Sequence, residues 1–496
     1  QADSAQDGLS PVIPAVASAT PDCCPARSTK SNACFPLPIG AMSNSKDIWA
    51  MMGVAGAGIA AAVLLRRALK RDDPCAVPEL KFKSFLDWLF PIKAVFRLGK
   101  DHFLYGMGRL VLEGVDPSLG IGRIRIMGQT YYFVRDPELV DEVVKKNYQA
   151  GGGFGKSFKG DVLEKMIEMV FGRGLIFSED GDPNWALAHK ILTRPFSHRG
   201  VMEMVPIMLE QADKLVAALK HEATLGNAVY VYDYMVKMAL ETIAVCSMGT
   251  RFNAFDAQEE HPFPTAFNGV MESLFDLIDL PVELWSLCRW TMAKIRKAVG
   301  VMDEVFDDII QKRLRKETSS LGKFPDLLEL MLNPGSGSKR FSDELIRAHM
   351  LAFLFAGHDS TAAAMSSLIT LTVANPRVEE RLVKEIQEVV GNDELQAHHL
   401  PQLTYLDWCI KETLRLFPPA ANFQRMAFED GLLLGGRWRI PKMGPVVVDV
   451  FALHHDEDTW GSDADCFVPE RWESEPTHSA SYMPFAAGPR GCIGKE

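Results

Sequence analysis

The stretch Phe485 to Gly494, F-A-A-G-P-R-G-C-I-G, constrains this 496-residue chain more than any other. It sets one cysteine, Cys492, among turn formers. Gly488, Pro489, Gly491 and Gly494 permit backbone conformations and close approaches that larger residues block. A loop of this kind presents sulfur toward backbone N–H groups, and such donors favour thiolate over thiol. A thiolate so held is a metal ligand, and a single axial cysteine in a flat apolar surround is the arrangement of a haem-thiolate centre.

Composition narrows the partners. The chain is 47% hydrophobic and 24% charged, which describes a globular protein with ample core. A net charge of −11 speaks against nucleic acid. The nine cysteines include no Cys-x-x-Cys pair, so they form neither a disulfide framework nor a zinc pattern, and they fit a reducing compartment. Cys246, Cys288 and Cys409 lie in apolar helical stretches and read as core residues. Cys23, Cys24 and Cys34 read as incidental.

The N-terminal part divides into segments. Residues 1–46 are rich in Ser, Ala and Pro, carry no periodicity and read as disordered, with Met42 a candidate start. From Ile48 to Leu65 there is no charge. Eighteen residues at 1.5 Å each span about 27 Å, the core of a thin bilayer such as that of the endoplasmic reticulum. Arg66, Arg67, Lys70 and Arg71 follow at once, which orients the remainder of the chain toward the cytoplasm. A cleaved signal peptide would be shorter, with its basic flank on the other side. Residues 47–71 are therefore expected to form a single-pass anchor, 72–90 a linker and 91–496 one domain.

Within that domain, Arg123 to Val134 alternates around Gly128 and predicts a hairpin. Asp136-Pro137 predicts a helix start. Gly151 to Gly155 reads as a loop and not a nucleotide site. Trp185 and His189 share a helix face. Helical periodicity covers 201–222, 234–248 and 294–317. A long helix is expected from an N-cap at Ser342 to Ala374, stopping before Asn375-Pro376. Its middle, Ala356-Gly357-His358-Asp359-Ser360-Thr361, puts an acid and hydroxyls into an apolar helix. Such groups are costly there unless they serve a bound water or ligand, and Gly357 would let something flat approach the backbone. A serine bonded to a carbonyl one turn back is the structural alternative. Glu412 and Arg415 can pair along a helix. His398-His399 and His454-His455 read as loop residues.

The last stretch resembles the haem-binding signature F-x-x-G-x-R-x-C-x-G of the cytochrome P-450 superfamily. Ala356 to Thr361 resembles its A-G-x-D/E-T-T/S motif with Ser360 for Thr, Glu412 to Arg415 its E-x-x-R, and Pro469-Glu470-Arg471-Trp472 its P-E-R-F with Trp for Phe. The resemblance covers roughly residues 80–496, with the motifs in the family's order. It implies a mainly α fold with a small β region around one buried haem b, preceded here by the N-terminal transmembrane helix. Cys492 would be the iron's axial ligand. Trp185, His189, Arg425 and Arg490 would hold haem propionates, and Phe485, Gly488 and Gly494 of the loop would also bind the cofactor. His189 stands where Arg is commoner. Asp359, Ser360 and Thr361 would manage protons, and Glu412, Arg415 and Arg471 would brace the loop behind the haem.

Several stretches are similar to self-sufficient bacterial and fungal fatty-acid hydroxylases of the superfamily: Gly174 to Phe177, with Ile176 a pocket candidate; Thr250 to Phe255 and His261 to Phe263, which read as packing residues and a loop; and His189 itself. The implied reaction inserts one atom of dioxygen into a C–H bond of a fatty acid or similar lipid. Electrons would come from an NADPH-dependent reductase carrying FAD and FMN, fused or separate, because no dinucleotide motif is seen in this chain. Family members continue past the equivalent of Glu496 with a helix and strands, so the chain is expected to be incomplete at its C-terminus. The alternatives are a peroxide-using or hydroperoxide-rearranging haem-thiolate enzyme, whose members typically lack the acid–hydroxyl pair, and a non-catalytic membrane-anchored product.

Overall fold

The computed structural model describes residues 75–81, 103–126, 129–146, 148–149, 152–158, 162–255, 261–278, 282–320, 324–335 and 339–496. The expected anchor and the segment before it lie outside the described residues. Among the described residues no helix is long and apolar enough to cross a membrane. Residues 75–81, inside the segment expected as linker, pack onto the fold: Leu80 N donates to Arg123 O at 2.9 Å, and Val77 and Leu80 are buried.

The longer helices are α1 (Phe103–Gly114), α2 (Pro183–Leu192), α3 (His198–Leu225), α4 (Val231–Met248), α5 (Pro262–Ile278), α6 (Arg289–Leu314), α7 (Asp343–Ala374), α8 (Pro376–Val389) and α9 (Thr404–Leu416). Their ends follow local chemistry. The Ser342 hydroxyl accepts from Leu345 N at 3.2 Å, Asp343 and Glu344 occupy the first turn of α7, and Asn375 closes it before Pro376. Asp182 caps α2 by accepting from Asn184 N at 2.9 Å, with Pro183 in the first turn. The expected helices over 201–222, 234–248 and 294–317 are α3, α4 and α6, each shifted or extended by a few residues at its ends.

Strands are few. A six-stranded sheet runs β1 (Ile121–Ile126), β2 (Gln129–Val134), β8 (Pro445–Asp449), β5 (Asn422–Ala427), β4 (Gly152–Gly155) and β3 (Tyr148–Gln149) in spatial order. β1 and β2 form the antiparallel pair predicted around Gly128, with Arg123 opposite Tyr132. β2 runs parallel to β8, and β5 antiparallel to it. β6 (Leu432–Leu434) and β7 (Trp438–Ile440) form a separate pair. One core lies among the helices, with Leu240, Phe263, Phe306 and Leu354 buried together; a second lies under the sheet, with Val134, Phe154, Val446 and Val448.

Three expectations change. The glycine-rich run is strand, not loop, at 152–155: Phe154 pairs with Ala427, and ladder bonds need no side chains. Glycine is required at 155, since a Cβ there would stand 2.3 Å from the Phe428 ring and 2.6 Å from the Asp180 carboxylate. His261-Pro262-Phe263 opens α5 rather than a loop, because Phe263 is fully buried against Phe306. His454 closes a short buried helix, Val450–His454, where its Nε2 accepts from Met483 N at 2.9 Å. Burial pushes its pKa down to about 3, so it is neutral. His399 stays outside the helices and strands but is buried, its Nδ1 accepting from Gln396 N at 3.0 Å.

The fold behind the C-terminal loop is tied by one carboxylate. Glu412 and Arg415, on α9, are wholly buried and joined by two hydrogen bonds, Nε to Oε2 at 2.8 Å and Nη2 to Oε1 at 2.7 Å. Arg471 Nε reaches Glu412 Oε1 at 2.9 Å, and Trp472 Nε1 reaches Oε2 at 3.0 Å. Removing one partner of a buried pair strands the other charge. Glu412→Ala is therefore expected to lower the unfolding free energy by about 3–5 kcal/mol in urea titration. The exposed pair Lys165–Glu168 provides the contrast, and Lys165→Ala should change stability by less than about 1 kcal/mol. Equal effects at the two sites would show that burial does not set the cost.

Candidate functional site

The loop carrying Cys492 is closed by its own backbone. Cys492 N donates to Phe485 O at 2.9 Å, and Gly491 N to Gly488 O at 3.0 Å. Ala486 adopts φ 53° and Gly488 φ 71°, both left-handed. Gly488 admits no substitute, because a Cβ would lie 2.1 Å from Val144 O. Gly494 faces the Phe196 ring, which stacks on Phe353 of α7 at 5.9 Å. The loop therefore sits beside the long helix, with Cys492 at the surface and Phe485 partly exposed. The expected set of N–H donors narrows to one: Gly494 N–H lowers the thiol pKa, while desolvation, the larger effect, raises it. The loop alone does not make a thiolate; a cation bound to the sulfur would.

On α7, Ala356, Asp359, Ser360 and Thr361 are exposed, whereas His358 is buried edge-on against Phe267. Ser360 Oγ donates to Ala356 O at 2.7 Å, one turn back. Asp359 Oδ1 accepts from Tyr232 Oη, at the start of α4. Gly357 does not open the exposed face. Its missing side chain makes room for α4, since a Cβ there would stand 2.7 Å from Ile243. The smallest side chain on the exposed strip is Ala356 instead. Next to the strip lies an aromatic group: Phe355 is 5.4 Å from Phe171 and 6.3 Å from Phe177. Residues 174–177 are held on α7 by Leu175 N donating to His349 Nδ1 at 3.0 Å and by a glycine at 174. Ile176 is half-buried there.

Around Arg490 the structure gathers cations. Arg490 lies over the Trp185 ring at 3.8 Å, and Trp185 is 5.1 Å from the His189 ring on the same helix face. Arg490 Nε donates to Asp180 Oδ1 at 2.6 Å; the two side chains are 3% and 0% exposed. Its Nη1 and Nη2 are buried and have no hydrogen-bond partner among the described residues. Asp180 Oδ2 accepts from Lys156 N, and Lys156 Nζ donates to Ile176 O. Burial, then Arg425 and Arg490, push the Lys156 pKa down to about 7, while Asp180 works the other way. Arg425, on β5, is itself buried and rests on the Phe423 ring at 5.0 Å. Burial and Arg490 lower the His189 pKa, which favours its neutral form.

Buried guanidinium donors without acceptors are costly, so the pocket calls for anionic oxygens. The donor set fits haem: a cysteine sulfur at the end of a closed loop, and cations beside it for carboxylates. The structure brings Trp185, His189 and Arg490 together, and it brings Arg425 into the same cationic field through Lys156. It joins Glu412, Arg415 and Arg471 as one network. Among the described residues, no cluster of His, Cys, Asp and Glu could hold a separate metal ion.

Three residues escaped the sequence reading: Lys156, Asp180 and Tyr232. A signal existed for the first, since Lys156-Ser157 ends the glycine run in the pattern of a phosphate loop, with Ala150 at its first position. That pattern needs a loop opening onto a helix N-terminus; residues 152–155 instead hydrogen-bond into the sheet. Asp180 and Tyr232 gave no signal, because their partners are 310 and 127 residues away.

The model of the family described as Cytochrome P450 matches residues 120–496. Among curated proteins, the chain is 32% identical over 82% of its length to the bifunctional cytochrome P450/NADPH–P450 reductase 2 of Bacillus subtilis, of which the match covers 37%. It is 30% identical over 76% of its length to a self-sufficient cytochrome P450 monooxygenase of Phanerodontia chrysosporium, covering 35% of that protein. It is 31% identical over 76% of its length to a bifunctional cytochrome P450/NADPH–P450 reductase of Fusarium oxysporum, covering 35%. The chain thus spans little more than a third of the length of these relatives.

The Lys156 shift has a measurable sign. A lysine lowered from 10.5 to about 7 binds fewer protons folded than unfolded between those values. Stability of the ligand-free protein should therefore rise with pH from about 7 to 10.5 and level off above. Comparing urea unfolding across that range with a Lys156→Met variant, the rise should be smaller in the variant. A slope unchanged by the substitution would assign it to other groups.

Proposed function

The chain belongs to the cytochrome P450 family, and from that premise we propose that it is a haem-thiolate monooxygenase acting on an apolar substrate such as a fatty acid or similar lipid. The observation that carries this reading is the pairing, in one closed loop, of Cys492 with an arginine whose Nη1 and Nη2 are buried and unmatched. Cys492 would bind the iron, and Arg490, Lys156, Trp185 and Arg425 would hold the two propionates. His189 supports Trp185 as a neutral ring. When bound, the haem supplies the activation of dioxygen, and a thiolate ligand favours O–O cleavage.

The remaining tasks fall to the protein. Ser360 gives its proton to Ala356 O, which fixes the hydroxyl and leaves its lone pairs to accept from a water on the exposed strip. Asp359, held by Tyr232, would relay protons from solvent to that water, taking up one for each it passes on, while the water gives one up in turn. Thr361 adds a second hydroxyl on the exposed face. Phe171, Phe177 and Phe355 supply an apolar wall beside the strip, suited to a hydrocarbon chain. Ile176 would stand at its edge. Electrons would arrive from an NADPH-dependent reductase carrying FAD and FMN, consistent with the names of the bifunctional relatives.

The proposed location is the endoplasmic-reticulum membrane with the domain in the cytoplasm. The uncharged run 48–65 with its basic flank supports it, as does an exposed apolar group at Leu284, Leu287 and Trp290, where Trp290 is 80% exposed.

Thiolate ligation is tested by the carbon-monoxide difference spectrum of the reduced protein. A strongly red-shifted haem band, lost in Cys492→Ala, is expected; a band kept in that variant would remove Cys492 as the ligand. Proton management is tested with Ser360→Ala, which should release more of its reducing equivalents as peroxide, by severalfold. Unchanged leakage and turnover would exclude the serine from the proton path.

A further inference from the structure

Among the described residues, one acid acts on the lysine of this cationic cluster. Asp180 is fully buried and sits between two of the basic groups. One carboxylate oxygen takes the Nε of Arg490, at 2.6 Å, and the other takes the backbone N–H of Lys156. Glycine at 155 leaves space for it, since a Cβ there would stand 2.6 Å from Asp180 Oδ2. By occupying Nε, Asp180 fixes the plane of the guanidinium. The edge that bears Nη1 and Nη2 is then the edge left unmatched.

Charge points the same way. Burial first, and then Arg425 and Arg490, depress Lys156, so the three basic groups share one field. Asp180 works against that depression, and ligand carboxylates would work in the same direction, drawing the lysine toward its charged form. Without the acid the pocket would hold three like charges with less to offset them.

We propose that Asp180 is a positioning residue for the cofactor: it aims Arg490 at a propionate and tempers the positive charge around it. This rests on the haem-thiolate reading above. A carboxylate buried near haem also favours the ferric form, which carries one more positive charge than the ferrous form. Asp180 therefore holds the reduction potential down as well as holding the arginine in place.

Two variants of the full chain separate the roles. Asp180→Ala removes both the hydrogen bonds and the charge; Asp180→Asn keeps the shape and an acceptor for Arg490 Nε but removes the charge and the acceptor of Lys156 N. Haem transfer to an excess of apomyoglobin gives the rate of cofactor loss. Asp180→Ala should lose haem faster by about tenfold or more, the weight of one hydrogen bond to a charged group. Asp180→Asn should lose it more slowly than Asp180→Ala and should show a midpoint potential moved positive from wild type. If Asp180→Ala does not fold, Asp180→Asn carries the test through its potential. A merely structural aspartate would lower the unfolding temperature and leave the potential where it was, and that result overturns the proposal. So does a rate of haem loss unchanged in a folded Asp180→Ala. A wild-type chain that takes up no haem would instead overturn the haem-thiolate reading, and the role of Asp180 with it.

Discussion

A guanidinium carries five N–H donors, and in a buried site each needs an acceptor. Two arginines of this chain answer that demand in opposite ways. Arg415 meets it completely: Nε and one Nη2 proton go to Glu412, the Nη1 protons to His454 O and Ala464 O at 2.7 and 2.6 Å, and the last to Cys466 O at 3.1 Å. It therefore ties α9 to three points of the C-terminal chain, and the loop that follows is held from behind. Arg490 meets only its Nε from Asp180, and its Nη atoms stay unmatched. A satisfied buried arginine is structure; an unsatisfied one is the mark of a ligand.

The long helix shows how one element serves packing and chemistry together. Positions 356, 359 and 360 fall on one face at helical spacing, and that face is open. Gly357 and His358 turn to the opposite side, where Ile243 and Phe267 meet them. The glycine of the motif thus serves helix–helix contact with α4. This division lets the polar residues stand on the exposed strip without burying an unmatched hydroxyl or carboxylate in the core, which the sequence alone left as a cost to be explained.

What was legible in the sequence was what short-range chemistry dictates. Ser342, with two acids after it and Asn375-Pro376 beyond, fixed both ends of a 32-residue helix. Alternation around Gly128 gave the β1–β2 hairpin. Motif order gave the family, and with it the loop of Cys492. Relations between distant positions were not legible. Strand β4 looks like a glycine loop because its pairing is set by β5, more than 250 residues on, and by Phe428 and Asp180 pressing on Gly155. His454 looks like a loop residue because the atoms that bury it belong to Arg415 and Met483. Asp180 is one acid among 64 Asp and Glu residues until Arg490 is seen on it.

The same reasoning explains why the cysteine could not be understood locally. Its loop promised donors that would stabilise a thiolate, yet the geometry supplies Gly494 N–H against a larger desolvation effect. The positive charge in this region is placed a few residues away, around Arg490 and Lys156, where it suits carboxylates rather than sulfur. A site arranged in this way would leave stabilisation of the sulfur anion to the metal and use protein cations to seat the ligand that carries it. Binding the carboxylates and forming the thiolate would then be coupled, since the unmatched guanidinium and the raised thiol call for the same proposed cofactor.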